Sequence, residues 1–273
     1  MNLELFIARR IAHNGSGNRP GVMVRIAVVA VALSVTVMIL ALAVIMGFKR
    51  EITDRVTGFS AQVEVADLRS AGSIESVPVL RSEQLERTIR SAGEVVRLTP
   101  YAVKGGVVKT PDAILGVMLK GVDGGYEWSF FRDHLLEGEL PRVGDSIRTK
   151  EILISRSVAR EMGLVPGDKV EMLFVESEKS PRRDRFKVSG IYATGMDEFD
   201  RSVAMTDLRN VQRLADWSSD EVSGYEVTLA DFSQAEDFSR RLNDMLLDSD
   251  REAFWDLTAR SAQERFPTVF DWL

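Results

Sequence analysis

Two histidines, His13 and His134, are the only imidazoles in the 273-residue chain, and there is no cysteine. They stand far apart in the sequence, so a histidine-based metal site or a Ser-His-Asp triad lacks its parts. The missing cysteines remove thiol chemistry, disulfides, Cys-type zinc sites and Cys lipidation. No G-x-x-x-x-G-K-S/T occurs to cradle phosphates, and no G-x-S-x-G occurs to present a nucleophile. Asp197, Glu198 and Asp200 cluster, but without the glycine and distal glutamate of a calcium loop. They read as solvated surface, since a chain with 41 acidic residues brings some of them together by number alone. These residue types predict a chain that is not an enzyme and holds no cofactor or metal of its own.

The most informative polar stretch is 176–185, ESEKSPRRDR. Here Lys179, Arg182, Arg183 and Arg185 are read as the tip of a hairpin between two strands. Such a tip could dock an acidic partner, or it could simply be a charged turn that blunts a sheet edge. The net charge is −6. The first 25 residues carry four arginines against Glu4, so the rest of the chain stands at −9. A body that acidic is not built for nucleic acid, which needs clustered Lys and Arg.

These residues must be positioned by something, and the dominant element is the apolar run 26–48, IAVVAVALSVTVMILALAVIMGF. It has no charge, and only Ser34 and Thr36 are polar. As a helix it measures about 34 Å, enough for a hydrocarbon core of about 30 Å. A cleavable signal fits less well, because a long segment precedes the run and apolar residues continue past Ala41-Leu42-Ala43. Basic residues flank both ends, so they place the N-terminus inside only weakly. Before the run, Leu3, Phe6, Ile7 and Ile11 fall on one face of an amphipathic cytoplasmic segment or of an unordered tail. After it, Phe48, Ile52, Val56 and Phe59 recur at helical spacing up to a terminator at Gly58, as a stalk or as an amphipathic turn under the outer domain.

The outer region alternates short strands with helices, an α+β pattern. Strands are expected at 61–65, 95–96, 107–108, 113–122, 152–154, 169–175, 186–192, 202–206, 225–229 and 254–255. Between them come helices capped by Ser82 and closed by Gly93, running 155–162 up to Gly163, capped by Asp207, and boxed by Ser233 with Glu236. Residues 140–148 read as loop. Phe266, Phe270 and Trp272 suit either a membrane interface or the end of the domain core.

Taken in order, several segments resemble the N-terminal half of LolC/LolE-type lipoprotein-releasing ABC transporter permeases, in the wider MacB-like superfamily. They are LFIARRI, MGFKREI after the span, AILGVMLKGVD, EILISRSVAREMGLVPGDKVEML, FKVSGIYATG, and the closing Trp255 with Phe266. The resemblance implies an α+β periplasmic domain with a Porter part at 59–122 and 223–258 and an inserted, β-rich Sabre part at 123–222. It implies stalks at 49–58 and 259–273, the latter leading to further spans, so the chain is expected to be a fragment or a truncated product.

The same resemblance implies a bacterial inner-membrane protein with a cytoplasmic N-terminus and a large periplasmic domain. Its partners would be a LolD-like ATPase that binds the ATP, a second permease copy or paralogue, the lipid bilayer, lipoproteins and a periplasmic chaperone. In LolC-type members a hook that captures the chaperone falls at 176–185, where this loop is shorter. The competing expectation is a membrane-anchored adaptor that regulates a cell-wall hydrolase, as FtsX-like permeases do.

Overall fold

In the computed structural model, which describes residues 6–7, 20–70, 75–111, 113–144, 147–176, 179–196 and 200–271, the apolar run lies inside one helix, α1 (Pro20–Phe59). Phe6 and Ile7 are helical and exposed, whereas Leu3, Ile11 and His13 lie outside the described residues. The two polar side chains of the run turn back onto the helix itself. Ser34 Oγ donates to the Ala30 carbonyl at 2.9 Å and Thr36 Oγ1 to that of Ala32 at 2.8 Å. No polar group of the run is therefore left without a partner, which is the condition lipid imposes. This helix is the one described element long and apolar enough to cross a membrane. The chain divides into two compact units, one ending at Asp54 and one starting at Arg55.

The second unit is α+β. Its elements are β1 (Val63–Asp67), β2 (Val79–Leu80), α2 (Glu83–Ser91), β3 (Val95–Lys109), β4 (Ile114–Val122), α3 (Ser129–Asp133), β5 (Leu135–Gly138), β6 (Glu151–Ser155), α4 (Arg156–Met162), β7 (Lys169–Glu176), β8 (Lys179–Tyr192) and β9 (Val203–Asp207). Then follow α5 (Leu208–Ala215), β10 (Glu221–Val222), β11 (Gly224–Leu229), α6 (Ala235–Leu247), α7 (Glu252–Trp255), β12 (Leu257–Ser261), α8 (Ala262–Arg265) and α9 (Pro267–Phe270).

One large sheet runs β12-β1-β11-β3-β4-β9-β6-β8-β5, and β7 joins it through both β3 and β8. The pairings β3–β4–β9–β6–β8–β7 return to β3 and close a ring. The long strand β3 makes this possible, because its first half pairs with β11 and its last three residues with β7. Closure removes free backbone edges along the ring. At the open end, β12 is protected differently. Asn243 from α6 donates to the Ala259 carbonyl at 3.0 Å and accepts from the Ala259 amide at 2.7 Å, as a neighbouring strand would.

Several expectations need correction. The stretches at 95–96 and 107–108 are one strand, β3, because β11 and β4 flank it and supply its backbone partners over that length. Phe254 and Trp255 sit in the short helix α7, and the strand comes after them as β12. Ser233 and Glu236 make no capping box: Asp231 caps a preceding 3-10 turn, accepting from Ser233 N at 2.9 Å. The box occurs instead at Ser261 and Glu264, opening α8. The helix capped by Ser82 closes at Ala92, one residue before Gly93. Asp200 is buried at 4% exposure rather than solvated, while Asp197, Glu198 and Trp272 lie outside the described residues.

Other local signals hold. Ser155 caps α4, and Gly163 closes it at φ +64, the left-handed value that glycine adopts without a Cβ clash. Asp207 caps α5 and accepts from Arg209 N at 2.9 Å, from the Arg209 guanidinium at 2.6 Å and from Gly144 N at 3.2 Å. Burial alone raises the Asp207 carboxyl. The Arg209 side-chain and backbone bonds and the Gly144 amide outweigh burial and hold it below its ordinary value. A folded value below the unfolded one adds stability above the unfolded value, and this is lost as pH falls through the folded one. Asn caps helices as well as Asp does. Asp207→Asn is therefore expected to flatten the acid limb of a melting-temperature profile, and superimposable wild-type and variant curves would overturn this assignment.

Candidate functional site

The last turn of α1, from Arg55 to Phe59, belongs to the second unit and is packed within it. Val56 and Phe59 are buried, at 1% and 6% exposure. Phe59 packs its ring 5.9 Å from that of Phe131 and 6.5 Å from that of Tyr192, inside a cluster that also holds Val122, Leu153 and Met205. Arg55 donates to the Thr194 carbonyl at 2.8 Å. The loop that receives Arg55 is held by the buried Asp200 carboxylate, which accepts from Thr194 N, Thr194 Oγ1 and Gly195 N at 2.8–3.2 Å. Gly58 lies so close to Phe130 that an added Cβ would meet the ring at 2.3 Å. Of the four stalk positions, then, Val56 and Phe59 serve as buried anchors, Ile52 is half-buried and Phe48 exposed.

Beside this turn lies a polar network on the face of the sheet opposite the main core. Glu64 on β1 stands directly across from Glu226 on β11, and on its other side from Arg260 on β12. Two carboxylates facing each other across strands repel, and each here is answered by cations. Glu226 bonds the Lys120 ammonium at 2.5 Å, both side chains being about nine-tenths buried. Glu64 takes Arg265 Nε at 2.9 Å and Arg260 at 3.5 Å, and also accepts from the Tyr101 hydroxyl. Arg265 reaches further, to Ser60 Oγ at 2.8 Å. Lys120 lies 5.8 Å and 5.7 Å from the ring centres of Tyr101 and Tyr126.

Burial, followed by the neighbouring carboxylate, pushes both phenols well above their ordinary range, so Tyr101 serves Glu64 only as a donor. The network lines a cleft of about 320 Å³. It joins residues where the chain enters the unit (Ser60, Glu64) to residues just before the chain's end (Arg260, Arg265). Its members bind one another, and among the described residues no group of three or more His, Asp and Glu is placed to hold a metal.

The basic residues of 176–185 lie in paired strand rather than in the connection between two strands. β7 and β8 extend to Glu176 and Lys179, so Lys179, Arg182, Arg183 and Arg185 are strand residues of β8. The expected strand began only at 186, because 179–185 (KSPRRDR) offers no alternating apolar face. Tertiary pairing supplies the missing support. Arg182 bonds Asp216 and the Arg213 carbonyl, while Arg183 and Arg185 reach Glu171 at 3.6 and 3.7 Å. The network of Glu64, Tyr101, Lys120, Glu226, Arg260 and Arg265 was not foreseen. Its trace in the sequence is a lone charge inside an apolar strand, as in ILGVMLKGV and GYEVTL.

The fold and this arrangement define an α+β domain attached to a helix fit to span a membrane, with its buried charges gathered where the chain enters. Comparison agrees. Residues 26–245 match the model of the MacB-like periplasmic core domain, and the chain belongs to that family. It is 28% identical over 224 residues to the lipoprotein-releasing system transmembrane protein LolC of Xylella fastidiosa strain 9a5c, covering 77% of this chain and 50% of the relative. To LolE of Haemophilus influenzae it is 22% identical over 247 residues, covering 85% and 56%. The chain thus spans about half the length of the curated relatives it matches. The periplasmic region of MacB from Actinobacillus actinomycetemcomitans has the same fold, with TM-score 0.50 and 14% identity over 80% of this chain and 97% of that one.

Proposed function

We propose that this chain is the N-terminal half of a permease subunit in an ABC transporter of the lipoprotein-releasing or MacB type. In this reading α1 spans the bacterial inner membrane, with the N-terminus in the cytoplasm and the second unit in the periplasm. Residues 49–58 and 259–273 are the stalks, 59–122 and 223–258 the Porter part, and 123–222 the Sabre part. A separate LolD-like subunit hydrolyses ATP, and a second permease copy or paralogue completes the pathway. Motion reaches the periplasmic domain mechanically, for release of envelope lipoproteins.

The observation that carries this reading is the anchored end of α1. Val56 and Phe59 are buried in the domain, and Arg265 ties Ser60 and Glu64 to the other end of the described chain. A displacement of that turn must move packed side chains with it, because interiors are close-packed. The test is depletion of the full-length protein in the bacterium that encodes it, with affinity capture of its partners. Accumulation of outer-membrane lipoproteins in the inner membrane and recovery of the ATPase subunit are expected. Normal lipoprotein sorting, with capture of a cell-wall hydrolase instead, overturns the proposal in favour of an FtsX-like adaptor.

A further inference from the structure

A second cleft, of about 460 Å³, opens between β6, β7, β8 and the segment before β6. Arg142, Lys150, Lys169, Arg185 and Lys187 line it, against the single carboxylate of Glu151. That excess of cations sits in a body whose net charge is strongly negative. Some of the charge is answered locally: Arg142 pairs with Glu151 at 2.9 Å, Lys150 with Asp184 at 2.5 Å and Arg185 with Glu171 at 3.7 Å. Lys169 and Lys187 form no ion pair among the described residues, and they stand directly opposite each other across β7 and β8. Like charges in that register destabilise a sheet, so the fold keeps a repulsive pair where an uncharged one would serve it better. Around them the imbalance continues. Lys150 and Arg213 share Asp184, and burial together with nearby Arg148 lowers the proton affinity of both.

We infer that this cleft is an anion site that takes a phosphate group, with Lys169 and Lys187 as its principal ligands and Arg142, Lys150 and Arg185 at its rim. A phosphate concentrates close to two negative charges and several acceptor oxygens in a small volume. That matches two ammonium groups that form no close ion pair, although Lys187 also acts on the Glu151 carboxylate from a distance, each a compact charge with three rotatable donors. The two ammonium groups stem from one directly opposed residue pair, so together they suit one compact anion better than charges spaced along an extended acidic polypeptide. Along β8, Lys187 precedes Tyr192 by about 17 Å at strand rise, so the cleft is separate from the contacts around Phe59.

The test uses the full chain in non-ionic detergent, titrated calorimetrically with inorganic pyrophosphate, and the chain in phosphatidylcholine nanodiscs, co-floated with phosphatidylglycerol vesicles. Binding of pyrophosphate that falls at least tenfold in Lys169→Gln/Lys187→Gln, but not in Arg240→Gln, whose side chain is exposed on α6 outside the cleft, supports the site. If vesicle capture shows the same dependence, the phosphate is that of a lipid headgroup; if only pyrophosphate does, it is a soluble one. The double variant is also expected to melt about 1–3 °C higher without ligand, since relief of a like-charge pair is a gain in a unit of this size, and to lose the rise that pyrophosphate gives the wild type. Equal binding by wild type and double variant overturns the inference. So does lysine-dependent binding of poly-glutamate without binding of either phosphate probe, which would make the cleft a docking site for acidic polypeptide.

Discussion

Lys120→Ala is expected to destabilise the second unit by about 3 kcal/mol, which corresponds to a fall of about 6–12 °C in melting temperature for a unit of this size. The ammonium it removes is the direct partner of Glu226 at 2.5 Å, and both side chains are close to fully buried. Without it, Glu226 keeps its desolvation cost and faces Glu64 across the strand pair with no cation of its own. The cost is therefore that of an uncompensated buried charge rather than of a lost contact. Glu226→Gln added to Lys120→Ala should restore a large part of the loss, because a neutral amide in that position is no longer repelled. Thermal unfolding of the full chain in detergent, single and double variants side by side, is the measurement. A single variant within 1 °C of wild type, or a double variant with no recovery, would show that the network does not hold the sheet as described.

The second large effect lies at the end of α1. Phe59→Ala removes a ring packed against Phe131 and Tyr192 and leaves a cavity in a small cluster, at a cost of about 3–5 kcal/mol. Gly58→Val tests the same joint by overfilling it, since the new Cβ meets Phe130 at 2.3 Å and one of the two must move. Limited proteolysis around residues 55–60 reads the joint directly. Faster cleavage there than elsewhere in the unit is expected for both variants. Under the proposed function, both should also reduce substrate release while ATP hydrolysis by the proposed ATPase subunit continues. Wild-type proteolysis and wild-type release in both variants would remove this turn from any part in transmission.

The legible parts of the sequence were those whose physics is local. An uncharged run of 23 residues is a membrane-length helix in any context, and α1 contains it. Ser82 and Asp207 announced helix starts because a cap is a contact between residues two or three apart. The ordered segments placed the chain in its family, which the match over 26–245 shows. The errors fell where a distant partner decides. β8 begins seven residues earlier than alternation indicated, because β7 and Glu171 support a charged strand face. Asp200 reads like its acidic neighbours, yet the turn at Thr194 and Gly195 encloses it.

The sequence by itself determined that an apolar helix precedes a net acidic α+β body without cysteines or a histidine pair. Such properties depend on which residues are present and how they are spaced. Only the tertiary structure decided that Glu64, Lys120, Glu226 and Arg265 meet, because strands distant in sequence bring them into one row. It alone set Lys169 against Lys187, a pairing fixed by the register of two strands and carried by neither residue's own preferences.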